Sequence, residues 1–264
     1  MICAGIDAGS RAIKVVVVEA DSLDVVASGV ADQGVRQDEL ATELFGHVLA
    51  SGGLARGDVA RIVGTGYARN IVSLADTCIT EITCHACGVH HLAPEARTVI
   101  EIGGQDSKVL HLDGDGGVRD FTMNDRCAAG TGRFLELAAA RLGVDLSQVE
   151  AMTARSRTPA AISSMCAVFA ETEIIGLLAG GARHEDILAG VQASIASRIA
   201  GMVGRKLTAP AVFTGGVAMV PSMAGALAKA LGLPVAVAPT PQMTGALGAA
   251  ILAARQAGGG GGKT

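Results

Sequence analysis

Two short stretches of the sequence place an acid, a glycine turn and a lysine in the same order. The first, DAGSRAIK, spans residues 7–14, and the second, EIGGQDSK, spans residues 101–108. Glycine allows backbone N–H groups to approach phosphate oxygens closely. The carboxylates of Asp7 and Glu101 can hold Mg²⁺, through water because this ion loses its hydration shell reluctantly. Both stretches therefore indicate phosphate and magnesium chemistry.

Further residues in and beyond these stretches extend the same chemistry. Ser10 offers a hydroxyl donor and Lys14 a positive charge. Gln105 can orient an attacking water, since an amide both donates and accepts hydrogen bonds. A third glycine turn, TGGVA, follows an apolar run at 214–218. A single glycine turn is more often only a turn, so the prediction depends on all three glycine turns together.

The second stretch repeats the first in register. A shift of 94 residues brings an acid onto an acid, a glycine onto a glycine and a lysine onto a lysine. The aligned pairs are Asp7 with Glu101, Gly9 with Gly103, Lys14 with Lys108, Val16 with Leu110 and Val18 with Leu112. Two glycine-turn hairpins can coincide by chance, but the matched acid and lysine favour an internal duplication and two related lobes.

Two of the six cysteines directly precede stretches with helical spacing. Cys127 lies in NDRCAAGTGRFLE, residues 124–136, and Cys166 lies in ISSMCAVFAETE. A thiolate at the start of a helix faces free N–H groups and the positive end of the helix dipole, which lowers its pKa and suits an anionic ligand. Two buried structural cysteines at these positions remain the alternative.

The other cysteines and the neighbouring histidines form no complete site in the sequence. A single C-H-A-C pair lacks the second pair that a zinc site requires. We therefore interpret Cys84 and Cys87 as structural thiols and Cys3 and Cys78 as small apolar fillers, and we assign no catalytic role to His85, His90 and His91.

The elements that must position these residues alternate between strands and helices. Hairpins are predicted at 3–19 and 98–114, further strands at 25–31, 61–67, 209–218 and 233–239, and helices at 38–51, 133–142, 167–179, 185–204 and 244–256. This alternation predicts an α/β fold with largely parallel strands beside the two hairpins.

Composition narrows the class of protein. Hydrophobic residues make up 50% of the 264 residues, charged residues 17% and aromatic residues 2%, which predicts a Val, Ile, Leu and Ala core of sheets covered by helices. The net charge of −4 and the absence of a basic block argue against nucleic acid as a partner. No apolar run approaches the roughly 20 residues of a membrane span, and the N-terminus lacks a basic signal-peptide region. We expect a cytoplasmic protein with reduced thiols or metal-bound cysteines.

The last eight residues, AGGGGGKT at 257–264, fit a relaxed Walker A pattern. A working phosphate loop lies between a strand and a helix whose amides hold the phosphate. Because the sequence stops at this point, we interpret the stretch as a flexible tail.

The order of the three glycine turns resembles the superfamily of actin, hexokinase and heat-shock chaperone ATPases. This resemblance implies two ribonuclease-H-like lobes, each with a phosphate hairpin, ATP between them and a later Gly-Gly turn at the adenosine. We expect a first lobe at 1–95, a second at 96–244, and a closing helix at 245–256 that packs back near the first lobe. Glu101 departs from the superfamily pattern, which usually has Asp there.

Four separate stretches resemble a narrower family. MNDRCAAGTGRFLE, AISSMCAVFAETE, TEITCHACG and VIEIGGQDSKV are similar to the activator ATPases of 2-hydroxyacyl-CoA dehydratases, relatives of the ATPase subunits of benzoyl-CoA reductase, over residues 3–256. The resemblance implies a homodimer with one [4Fe–4S] cluster on its two-fold axis, bound by Cys127 and Cys166. The count agrees, since such a cluster takes four thiolates and two chains supply four.

The resemblance also implies the activity and the remaining site residues. ATP hydrolysis would drive low-potential, one-electron transfer to a partner iron–sulfur enzyme, and a ferredoxin or flavodoxin would reload an oxygen-labile cluster in an anaerobe. Gly9, Ser10, Arg11, Ala12, Ile13, Lys14, Gly103, Gly104 and Gln105 would contact phosphates and Mg²⁺, Gly215 and Gly216 the nucleoside, and Gln242 the base or ribose. The alternatives are an ATPase for a benzoyl-CoA-reductase-type or double-cubane cluster protein, a sugar or acyl kinase, and an actin-like scaffold.

Overall fold

The computed structural model describes residues 1–163, 166–204 and 206–259, which form ten strands and eight α-helices. They divide into two compact units. The first unit contains Met1–Glu95, Leu112–Val118 and Ala238–Thr264, and the second contains Ala96–His111 and Arg119–Val237. This division differs from the predicted one because residues 112–118 and 238–244 group with the first unit.

The first unit contains a five-stranded sheet with the order β3-β2-β1-β4-β5. Its strands are β1 (Ile2–Ala8), β2 (Ala12–Glu19), β3 (Val25–Asp32), β4 (Val59–Thr65) and β5 (Thr77–Cys78), and its helices are α1 (Gln37–Ser51), α2 (Glu81–Leu92) and α8 (Thr244–Gly259). The first three strands pair antiparallel, whereas β4 runs parallel to β1. The residues of β1 and β2 are almost all apolar and buried, as a sheet covered on both faces requires.

The second unit contains a five-stranded sheet with the order β10-β9-β6-β7-β8. Its strands are β6 (Thr98–Ile102), β7 (Ser107–Leu112), β8 (Val118–Asn124), β9 (Ala211–Thr214) and β10 (Val235–Val237), and its helices are α3 (Gly132–Arg141), α4 (Val149–Thr153), α5 (Ala167–Ala179), α6 (His184–Val203) and α7 (Ser222–Leu231). Again β6 pairs antiparallel with β7 and parallel with β9. Its core includes the apolar stripe predicted on α6.

The two sheets have the same topology. In each, the first strand pairs with the second and with the fourth, and the third and fifth strands form the edges. The units differ in what joins the third strand to the fourth: α1 does so in the first unit, and α3 to α6 do so in the second. Because the segment between the third and fourth strands differs in length between the units, the sequence repeat stays in register only over the hairpins.

Helix α8 packs on β1 and α2 through glycines. A Cβ atom on Gly5 would overlap the backbone of Ala246, and one on Gly88 would overlap the carbonyl of Thr244. Backbones can approach this closely only where no side chain intervenes. The helix continues to Gly259, so the part of the predicted tail at 257–259 is helical, and residues 260–264 lie outside the described residues.

Several elements differ from the predicted ones. Strand β9 is only four residues long, because Pro210 precedes it and the Gly215 turn ends it. Helix α2 had no counterpart in the prediction, since its stretch TCHACG has weak helix formers. No helix among residues 1–163, 166–204 and 206–259 is long and apolar enough to cross a membrane.

Candidate functional site

The hairpin of β1 and β2 brings Asp7 and Lys14 together. The two residues are direct cross-strand partners, and Lys14 Nζ lies 3.1 Å from Asp7 Oδ2. The turn closes by a hydrogen bond from the Gly9 amide to the Ala12 carbonyl. Gln33, directly after β3, donates a second bond, 2.7 Å long, to the Gly9 carbonyl. The acid, the lysine and the turn of the first stretch therefore form one rigid cluster.

Two glycines of the first unit lie directly against the Asp7 carboxylate. Gly66, directly after β4, has φ +91°, and a Cβ atom there would overlap Asp7 Oδ1. A Cβ atom on Gly245 would lie 3.1 Å from Asp7 Oδ2. Larger residues at either position would press on the carboxylate. Asp7 itself is only 4% exposed, so glycine backbone borders its carboxylate closely at both positions.

The hairpin of β6 and β7 repeats this arrangement. Glu101 and Lys108 are cross-strand partners in the same register as Asp7 and Lys14. Lys108 Nζ lies 2.9 Å from Glu101 Oε2. The Gly103 amide closes the turn on the carbonyl of Asp106, three residues on, as Gly9 does in the first hairpin. The correspondence predicted from the sequence thus extends to the atomic contacts of the acid and the lysine.

Asp106 is a polar contributor that the sequence analysis missed. Its Oδ2 lies 2.7 Å from Lys108 Nζ, so one buried ammonium joins two carboxylates. Lys108 is 1% exposed, whereas the side chain of Lys14 is 14% exposed. In the first hairpin the equivalent position is Ala12. The sequence spacing could have indicated this contact, because Asp106 stands two residues before Lys108 and residues two apart in an extended chain point to the same face.

A second correspondence involves a Thr-Gly pair at the end of the fourth strand of each sheet. Thr65 is in register with Asp7, and Thr214 is in register with Glu101. The following glycines have φ of +91° and +93°. A Cβ atom on Gly215 would lie 2.7 Å from Glu101 Oε1, just as Gly66 adjoins Asp7. Sequence reasoning missed this equivalence because the spacing from acid to glycine differs between the copies.

Cys127 does not lie directly at the start of an α-helix, contrary to the prediction. A 3₁₀ turn, Ala128–Gly130, follows it, and the extended residue Thr131 separates that turn from α3. Asn124 holds the cysteine on both sides: its Oδ1 accepts from the Cys127 amide at 3.0 Å, and its Nδ2 donates to the Cys127 carbonyl at 2.8 Å. The Cys127 thiol is half-buried and has a fixed backbone.

The first amides of α3 bond instead to the turn of the second hairpin. Gly132 N–H donates to the Gly103 carbonyl at 2.9 Å, and Arg133 N–H donates to the Gly104 carbonyl at 2.8 Å. A Cβ atom on Gly132 would lie 3.0 Å from the Gly103 carbonyl, so the contact leaves little room for a side chain. The segment that begins at Cys127 is therefore attached to the glycine turn at 103–104.

Cys166 is at the N-cap position of α5, as predicted, and is exposed. An ion pair between Arg141 and Glu171 joins α5 to α3. The first turn of α5 exposes large apolar side chains: Val168 is 67% exposed and Phe169 is 70% exposed. The second unit therefore presents the exposed thiol of Cys166 beside exposed apolar surface.

The remaining cysteines lie in the first unit. Burial raises the pKa of the Cys84 thiol to about 12 and also raises the pKa values of Cys3 and Cys87. Among the described residues, no group of three or more His, Cys, Asp or Glu side chains is placed to hold a metal ion. Within one chain, Cys127 and Cys166 are thus the two cysteines of the second unit.

The other predicted site residues are divided between the units. Ser10, Arg11 and Gln242 belong to the first unit, and Gln105 and Gly216 belong to the second. Gln242 lies in a 3₁₀ turn directly before α8. Gly216 begins the 3₁₀ turn after β9, as a Gly-Gly turn at a strand end implies.

The fold and the paired hairpins place the chain in the actin-like and hexokinase fold class. A ROK hexokinase from Thermus thermophilus shares this fold with a TM-score of 0.55, at 14% identity over 98% of this chain and all of that one. The predicted fold class is therefore confirmed. Within this class, the chain belongs to the BadF/BadG/BcrA/BcrD ATPase family, whose model matches residues 4–253.

The chain is similar to characterised members of that family over nearly its full length. It is 42% identical to the 2-hydroxyisocaproyl-CoA dehydratase activator of Clostridioides difficile over 96% of this chain and 95% of the relative. It is 44% identical to the activator of lactoyl-CoA dehydratase from Anaerotignum propionicum, over 96% and 97%. The solved structure of the C. difficile activator with bound ADPNP has a TM-score of 0.93 and covers 98% of this chain and 96% of that one. A component of the benzoyl-CoA reductase of Thauera aromatica is 34% identical over 75% of this chain and 71% of its own length.

Proposed function

We propose that this protein is an ATP-dependent activator that couples ATP hydrolysis to low-potential, one-electron transfer into a partner iron–sulfur enzyme. The proposed partner is a 2-hydroxyacyl-CoA dehydratase, by similarity to the activators named above. Each ~59 mV of uphill transfer costs about 1.4 kcal/mol for one electron. Coupling to ATP would let the protein pass on electrons that a ferredoxin or flavodoxin donor alone could not.

For the nucleotide, the residues present fit Mg²⁺ and phosphate. Asp7 is a carboxylate beside two glycines, which suits a hydrated cation. We assign Asp7, Ser10 and Lys14 of the first unit, with the backbone of residues 11–13, to Mg²⁺ and phosphates. From the second unit we assign Gly103, Gly104 and Gln105 to the same groups, with Gln105 orienting water, Gly215 and Gly216 to the nucleoside, and Gln242 of the first unit to the base or ribose.

Glu101 takes a narrower role than the one predicted from the sequence. Its carboxylate adjoins the ammonium of Lys108, which is almost fully buried. A carboxylate in a buried ion pair is held in place by its partner, and removal of that partner leaves an uncompensated charge. We propose that Glu101 and Lys108 shape the second glycine turn and that Asp7 is the main magnesium residue.

The donor set of the second unit fits an iron–sulfur cluster shared by two chains. Cys127 and Cys166 form no disulfide, neither is fully buried, and both precede helical turns. Two chains would together offer the four thiolates of a [4Fe–4S] cluster, which supplies one-electron redox chemistry when bound. The chain's own contribution is to hold these two thiols, which are the two cysteines of the second unit.

One observation carries the proposed coupling: the hydrogen bonds from the Gly132 and Arg133 amides to the Gly103 and Gly104 carbonyls. They attach the Cys127 segment to a turn that we assign to phosphate binding. A change in that turn on loss of the γ-phosphate would therefore move the thiol segment without a long intervening chain of contacts.

The test is anaerobic purification followed by iron, nucleotide and mass measurements. We expect brown protein with about four irons per dimer and Mg²⁺-dependent ATP hydrolysis. Cys127→Ser should lose the iron and dissociate into monomers in light scattering, while fluorescent ADP still binds. Cys78→Ser is the matched control, because it removes another exposed thiol and should keep the iron. Full iron content in Cys127→Ser would contradict the ligand assignment.

The partner enzyme needs a separate test, because the similarity to the benzoyl-CoA reductase component favours a second candidate. Reduced activator and ATP would be mixed with a purified 2-hydroxyacyl-CoA dehydratase or with the catalytic subunits of a benzoyl-CoA-type reductase. We expect activation of the dehydratase. Activation of the reductase alone would favour the second candidate, and sugar phosphorylation by colourless protein would favour a kinase.

A further inference from the structure

His85 on α2 is a buried imidazole that the proposed function does not use. It is 5% exposed, and its Nδ1 lies 3.0 Å from Oγ1 of Thr244, the first residue of α8. The Thr244 hydroxyl donates its proton to the Pro241 carbonyl at 3.3 Å. The imidazole and the hydroxyl share one hydrogen bond, whose donor depends on the tautomer of His85. This contact sets the orientation of the imidazole ring.

The far edge of the His85 ring and the Asp7 carboxylate face the same glycine. A Cβ atom on Gly245 would lie 3.1 Å from Asp7 Oδ2 and 3.1 Å from both Cε1 and Nε2 of His85. These atoms are therefore within about 6 Å of one another, the span of a single bridging group. The sequence alone gives no sign of this, since the two residues belong to different elements.

The backbone around His85 cannot easily relax away from Asp7. A Cβ atom on Gly88 would overlap the Thr244 carbonyl, and one on Gly248 would overlap the Cys84 carbonyl. Helices α2 and α8 thus meet backbone to backbone on both sides of the His85–Thr244 bond. Such close packing gives the imidazole one position rather than a set of rotamers.

The two oxygens of Asp7 have different surroundings. Oδ2 contacts Lys14 Nζ at 3.1 Å and faces Gly245 and His85, whereas Oδ1 faces Gly66 and Gly9. Lys14 and His85 thus both lie on the Oδ2 side. Oδ2 therefore already has a cationic partner, whereas Oδ1 is the carboxylate oxygen nearer to the glycine turn.

We propose that His85 is a positioning residue for Asp7: it fixes the carboxylate so that Oδ1 is presented to the hydration shell of Mg²⁺. Thr244 orients His85, and His85 acts through Asp7 rather than on the nucleotide itself. This inference rests on the proposed function, because it uses the assignment of Asp7 to Mg²⁺.

The test compares nucleotide binding with and without magnesium in the full-length protein. Affinity for a fluorescent ADP analogue is measured in excess Mg²⁺ and in EDTA. We expect His85→Ala to weaken binding about tenfold in Mg²⁺, the size of effect typical of residues that orient a metal ligand, and to leave binding in EDTA unchanged. His85→Asn, whose amide can still donate to Thr244, should restore most of the loss. Thr244→Val should act in the same direction as His85→Ala.

The outcomes separate this inference from the proposed function. If wild-type protein binds ADP with a clear Mg²⁺ dependence and His85→Ala keeps it, only the inference fails. An equal loss in Mg²⁺ and in EDTA, without rescue by His85→Asn, would show a purely structural role and overturn it. If wild-type protein shows no Mg²⁺-dependent binding, the assignment of Asp7 fails, and with it both proposals.

Discussion

At the scale of single residues, the two acid–lysine pairs have the same register but different environments. Lys14 contacts one carboxylate and keeps some exposure, whereas Lys108 is buried between Glu101 and Asp106. A buried charge that loses its partner typically costs about 3–5 kcal/mol, and a partly exposed one costs less. The second pair therefore has a larger structural role, and the first is better suited to respond to an incoming ligand.

The glycine beside Asp7 gives the first residue-scale prediction. Gly66→Ala would place an L-residue at the positive φ of Gly66, which costs about 1–2 kcal/mol of stability. It would also force Asp7 to move. We expect it to weaken ADP binding at least tenfold, measured with the fluorescent analogue. Gly53→Ala is the control, because Gly53 also has positive φ, +68°, but its Cβ position is open. Equal effects of both variants on binding would contradict the proposed role of the space beside Asp7.

At the scale of elements, the contacts that position the site are backbone to backbone. Helix α8 meets β1 and α2 at glycines, and α3 bonds to the turn of the second hairpin through its first amides. Such contacts transmit displacement well, because no flexible side chain lies between the elements. They also explain why short, glycine-rich stretches, rather than long amphipathic helices, contain most of the site.

The packing of α8 on α2 predicts unequal effects of two glycine substitutions. Gly248→Ala would overlap the Cys84 carbonyl, and overpacking of backbone against backbone should cost about 3 kcal/mol or more. Gly46→Ala, on the exposed face of α1 with open space around it, should stabilise by about 0.5–1 kcal/mol through helix propensity. Urea unfolding measures both. A Gly248→Ala protein as stable as wild type would show that the two helices are not in such close contact.

At the scale of the whole molecule, the six cysteines differ in burial. Cys3 and Cys84 are fully buried in the first unit, Cys78 in the same unit is exposed, and Cys127 and Cys166 in the second unit retain exposure. Burial keeps a thiol protonated and inaccessible. This divides Cys3 and Cys84 from the two cysteines that we assign to the cluster.

This division predicts how stability depends on alkaline pH. Burial raises the pKa of Cys84 from 9.0 to about 12 in the folded protein. The raised pKa of this thiol therefore contributes fully to the free energy of unfolding below pH 9. This contribution decreases as pH rises towards 12, by at most about 1.4 kcal/mol per pH unit. Urea unfolding between pH 8 and 11 should show a smaller decline for Cys84→Ala than for wild type. Parallel curves for the two proteins would contradict a buried, neutral thiol.

Much of the fold followed from the sequence because its signals are local. The hairpins, the α/β alternation and the bounds of α1, α5 and α6 follow from apolar periodicity and glycine turns within short windows. Helix α2 was missed because tertiary packing against α8, rather than intrinsic propensity, stabilises its weak helix formers. The 3₁₀ turn between Cys127 and α3 was missed because a distant turn, to which the amides of Gly132 and Arg133 bond, holds this segment in place.

The sequence by itself determined the acid–lysine pairs, their duplication and the family resemblance, since each depends on residue types at short spacing. Only the tertiary structure showed that Thr65–Gly66 corresponds to Thr214–Gly215, that Asp106 joins Lys108, and that His85 faces Asp7 across Gly245. The physical reason is the same in all three cases. Parallel strand pairing and helix packing bring together residues that no local pattern relates, and the close approach depends on side chains that are absent at glycine.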